Sequence, residues 1–145
     1  MKFATLTHPD ARQNTHLDGR LVLVSRDLQH GADASDIAPT LLHAVQHRAA
    51  VAPALQQRYD ALNAGQCPGA FGLAGAAFLA PLPRSPQWCD ASAFLNHGRL
   101  MERAFNTPPI PDFDTIPVMY QGASDDFLGP QADVPLPSEA DGIDF

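Results

Sequence analysis

The chain has 145 residues, 45% of them hydrophobic, and a formal net charge of -7, which allows one sizeable core, or one small domain plus part of another. No stretch approaches the roughly 20 apolar residues that cross a bilayer, and the start MKFATLTHPD has no apolar signal core, so a cytoplasmic protein is expected. No Lys or Arg follows Arg103, whereas eight acidic residues do, from Asp112 to Asp144; nucleic acid and anionic membrane both demand clustered cations, so neither is an expected partner.

Lys2 to Leu6 and Arg20 to Val24 are rich in strand-favouring residues, and Asp18-Gly19 supplies a turn before the second. They predict a small antiparallel pair joined by the long loop HPDARQNTHLDG. From Asp36 the period changes. Ile37, Leu41, Val45, Leu55, Tyr59 and Leu62 recur near 3.6-residue spacing, with Asp36 as N-cap and Pro39 in the first turn. Pro53 lacks a backbone donor and disfavours helix at Ala52, so a break is predicted there, before a second segment ending near Gly65.

Gly69, Gly72 and Gly75 space an apolar stretch that leads into APLPRSPQW. Ten of the 14 prolines lie from Pro81 onward, which favours extended segments and turns apart from a short helix around Ala93 to Arg103. The expected organisation is α+β, with a small N-terminal domain over 1–77 built of a strand pair plus helix. Residues 78–145 are expected to open a β-rich domain whose strands lack partners, favouring association through their edges.

Asp90 and His97 form the leading chemical pair, since a carboxylate is a hard ligand for a divalent cation and an imidazole takes a proton from water near neutral pH. The alternative makes Asp90 the cap of a short helix with His97 on its side. His43 and His47, four apart, share a helix face that suits either a transition metal or solvent. Tyr120-Gln121-Gly122, followed by Ser124, Asp125 and Asp126, reads as a glycine-flexed loop that holds a polar substrate or simply turns. Cys67 and Cys89 have no metal-ligand spacing, and Ser85, Ser92 and Ser124 have no nucleophile elbow.

The opening MKFATL, then DGRLVLVSRDL, PLPRSPQWCDASAFLNH and IPVMYQGASDDFLGP, with GIDF at the end, resemble in order the N-terminal half of bacterial fumarylacetoacetate hydrolase family proteins. The resemblance implies a mixed β-roll beginning in the second part, and metal-dependent hydrolysis of a carbon-carbon bond in a small diketo or oxo-acid. It places Asp90 as the first metal carboxylate, His97 as the general base, and Tyr120 and Gly122 in a substrate-contacting loop. Mg2+, or Mn2+ or Ca2+, is the implied cofactor and a homodimer the implied assembly. The family's Glu-x-Glu ligand pair follows a tract like GIDF, yet the only glutamates here are Glu102 and Glu139 and the only lysine is Lys2. The expectation is therefore the front part of such an enzyme, inactive as it stands and binding the cation weakly. The rival expectation is a non-catalytic module that docks onto a full-length relative.

Overall fold

The computed structural model describes residues 1–8, 17–124, 126–140 and 142. Most of the long loop after Leu6, together with Asp125 and nearly all of GIDF, lies outside the described residues. By internal contacts the chain divides into two compact units, Met1–Arg84 with Asp126–Phe145, and Ser85–Asp125. Among the described residues no helix is long and apolar enough to cross a membrane.

The first unit holds a four-stranded sheet in the order β1 (Lys2–Leu6), β2 (Arg20–Val24), β3 (His30–Asp33) and β4 (Phe71–Gly72), every pairing antiparallel. The predicted pair β1–β2 forms with Lys2 opposite Val24 and Leu6 opposite Arg20. Strand β2 lies inside the sheet. Its LVLV run keeps both faces from water, with Leu21, Val22 and Leu23 fully buried, and that explains why its apolar residues are continuous rather than alternating. Leu21 and Leu23 join Ala32, Ala44, Leu55, Tyr59 and Leu62 in the core. Buried Thr5 donates its hydroxyl to the Pro81 carbonyl at 2.7 Å, so its polar atom costs little.

Sequence reasoning missed β3 and β4. The turn before β3 is stabilised by side chains: the Ser25 hydroxyl donates to Asp27 at 2.5 Å, the Gln29 amide donates to the same carboxylate, and the His30 amide donates to Ser25 Oγ. Leu28 takes a left-handed φ of 65° there.

Helix α1 (Leu41–Gln46) starts later than expected. Thr40, not Asp36, is its N-cap and accepts from the His43 amide at 3.1 Å. Asp36 instead forms a two-pronged ion pair with Arg58 of α2 (Arg48–Asn63). The helical break also falls elsewhere, at His47, while Pro53 lies within α2. Pro53 is in the second turn, where the lost donor forfeits about one helical bond, and Leu55, Tyr59 and Leu62 beyond it pack into the core. Val45 is 58% exposed, and neighbouring Ala44 points inward.

The second unit is a hairpin with a helix. Strand β5 (Trp88–Ser92) pairs antiparallel with β6 (Val118–Ala123), and α3 (Leu95–Phe105) lies between them in sequence. The predicted short helix thus forms two residues later, closed by Asn106 in the left-handed region.

Candidate active site

The four residues to which the resemblance gives roles, Asp90, His97, Tyr120 and Gly122, belong to the second unit. Tyr120 and Gly122 stand on strand β6, not in a loop. Asp90 faces Tyr120 across the ladder, and the phenol donates to Asp90 Oδ2 at 2.5 Å. That hydrogen bond, with the negative charge beside it, holds the phenol above its ordinary value of 10.0.

Asp90 does not cap α3. The N-cap is Phe94, in extended geometry and without a side-chain cap bond. The chain turns from β5 into α3 over Ala93 and Phe94, which brings His97, in the first helical turn, to the same open cavity as Asp90. That cavity measures about 390 Å³ and is lined by Asp90, Ala91, Ala93, Phe94, His97 and Leu100. Asp90 is half-buried and His97 exposed. Asp90 bonds to Tyr120 rather than to His97, leaving the imidazole open to a water or ligand.

Gly122 has a packing reason. The register shifts between Trp88 and Cys89, so that Trp88 lies opposite Ala123 and Cys89 opposite Gln121, with Gly122 as the extra residue of a bulge. A Cβ at Gly122 would overlap the Trp88 ring. Sequence reasoning also missed Phe94 and Leu100 as lining residues, although their spacing around His97 places all three along one side of the helix.

Among the described residues no three His, Cys, Asp or Glu side chains gather to hold a metal. One carboxylate with an oxygen committed to Tyr120 does not fit a resident Mg2+, which needs several converging ligands. His43 and His47 stack with ring centroids 4.2 Å apart, and His47 Nδ1 bonds to the His43 carbonyl at 3.1 Å. A larger cavity of about 680 Å³ in the first unit is lined by Asp33, Asp36, Arg58 and Cys67 among others. Its charges satisfy one another, since Arg58 binds Asp36 and the Asp33 carbonyl, and chemistry favours the smaller cavity. Cys67 is half-buried and Cys89 exposed, both free thiols. Ser85 donates to the Gln87 carbonyl within a turn.

Residues 1–84 match the fumarylacetoacetase N-terminal domain 2 family, and the chain belongs to the fumarylacetoacetase family as an N-terminal portion. The match ends at Arg84, and the cavity with Asp90 and His97 lies beyond it. No curated protein matches the sequence significantly.

Proposed function

We propose that this chain contributes the N-terminal domain and the proton-transfer portion of the active site to a hydrolase that cleaves a carbon-carbon bond in an acylpyruvate-like diketo acid. The observation that carries this reading is the shared cavity of Asp90 and His97, directly after a family N-terminal domain. His97 accepts a proton from water, and the oxygen adds to the acyl carbonyl. The bond to the neighbouring carbon then breaks, with its electron pair leaving on the oxo-acid fragment as an enolate. The imidazolium returns its proton to that carbon, so a carboxylic acid and an oxo-acid are released. Tyr120 orients Asp90 at the polar end of the same cavity.

The test is acylpyruvate cleavage by the protein expressed from its complete reading frame, followed as loss of diketone absorbance and appearance of pyruvate. His97→Ala lowers turnover by about 100- to 10,000-fold if it removes the base. Unchanged turnover in a folded His97→Ala protein overturns the assignment.

A second reading rests on a different observation: no described residue of Ser85–Asp125 is buried, and Phe94, Phe105, Ile116 and Met119 stand more than half exposed. Such a surface suits a module that docks onto a full-length relative. A stoichiometric complex with that relative, without turnover of its own, would favour this reading.

A further inference from the structure

We infer that the cavity beside His97 takes the acyl end of its substrate as an uncharged hydrocarbon, an aromatic ring or bulky alkyl group, rather than as a second carboxylate. This inference rests on the hydrolase reading and extends it to substrate class.

The six lining residues divide into two kinds. Asp90 and His97 supply the polar end; Ala91, Ala93, Phe94 and Leu100 supply the rest, and none of the six carries a permanent positive charge. Phe94 is 73% exposed and Leu100 53% exposed. Two large apolar side chains held open beside a carboxylate and an imidazole gain by being covered, in proportion to the apolar area removed from water. A substrate carrying a carboxylate on its acyl end would bring it towards Asp90 with no lining cation to offset the repulsion. Of the two arginines on α3, Arg99 is directed to Asp114 at 3.3 Å and lines a separate cavity with Glu102 and Phe113, and Arg103 is not among the residues that line this one. The width of the apolar wall follows from the helix. Residues 94, 97 and 100 succeed one another at three-residue steps, so Phe94 precedes and Leu100 follows His97 along the wall of the cavity.

The experiment compares benzoylpyruvate with fumarylpyruvate by calorimetry, using the protein expressed from its complete reading frame and carrying His97→Gln so that neither probe is consumed. Benzoylpyruvate should bind at least tenfold more tightly. Adding Phe94→Ala or Leu100→Ala, at positions exposed enough to leave folding intact, should reduce that preference to less than threefold. Equal or tighter binding of fumarylpyruvate overturns the inference, as does binding of neither probe or a preference that both alanine variants leave unchanged. The two proposals fail separately. Cleavage of both probes by the parent without a binding preference overturns the apolar wall and leaves hydrolysis standing, whereas a Phe94-dependent preference without cleavage does the reverse.

Discussion

Asp90 and Tyr120, 30 residues apart in sequence, meet across the β5–β6 ladder with the phenol donating to Oδ2 at 2.5 Å. The bond ties the carboxylate of the site to the strand that follows α3. Because the chain has two tyrosines, Tyr59 and Tyr120, a Tyr59→Phe background isolates the second phenol. Ultraviolet titration should place Tyr120 above 10.0, and Asp90→Asn should bring it back down. A proton held more firmly in the folded state adds stability below the unfolded phenol value, and that stability is lost as pH rises through the folded one. A Tyr120 titration insensitive to Asp90→Asn would show that the bond does not persist in solution.

His97 and Asp90 should fail in different ways. His97→Ala should abolish most turnover yet change stability by no more than about 0.5 kcal/mol, because the ring is exposed. Asp90→Ala should also release Tyr120, visible as a lowered phenol titration. Melting curves recorded beside turnover decide the matter: a large loss of stability in His97→Ala would assign the ring a packing role.

Leu55 and Val45 share the predicted apolar stripe but not the same surroundings, at 2% and 58% exposure. Leu55→Ala should cost about 2–5 kcal/mol in urea unfolding, and Val45→Ala no more than about 0.5 kcal/mol. Comparable losses would contradict the placement of Ala44, rather than Val45, in the core.

Acid should weaken the first unit. Burial works to raise the Asp33 carboxyl, but hydrogen bonds from the Ser35 hydroxyl and amide, together with Arg20, bring it below its ordinary 3.8. Arg58 lowers Asp36 in the same direction. Carboxylates depressed on folding stabilise above the unfolded value of 3.8, and their contribution disappears as pH falls through the folded values. The melting temperature should therefore drop below about pH 4, and Arg58→Met should make that drop shallower. An identical acid profile in the variant would remove the Arg58–Asp36 pair from the account.

Gly122→Ala should push the ring of Trp88, the single tryptophan, off the strand. Its emission should move to longer wavelength as the indole gains water. An unshifted spectrum in a folded variant would mean that the ring does not rest on Gly122.

The parts of the fold legible in the sequence were those with strong local signals. The RLVLV run after Asp-Gly identified β2 and its partner, whereas HGAD offers one apolar side chain, and β4 is only two residues long, too little for any period to register. Pro53 attracted the predicted break because proline is the loudest local signal, but the packing of Leu55, Tyr59 and Leu62 holds the helix together around it. Asp90 and His97 could be considered together because they lie only seven positions apart. The Tyr120 contact depends on strand register, and the Phe94 and Leu100 wall on where α3 begins, which no neighbouring residue announces.

The bulge at Gly122 also acts as an alignment key. In a two-stranded ribbon a slip of one residue would turn Tyr120 to the opposite face from Asp90, and a short hairpin has few pairings to resist it. The Trp88 ring fits over the one position of β6 that has no side chain. A shifted pairing would drive the indole into Gln121 or Ala123, so the same glycine that admits the ring discriminates against misregistered hairpins, and the carboxylate meets its phenol each time the ribbon forms.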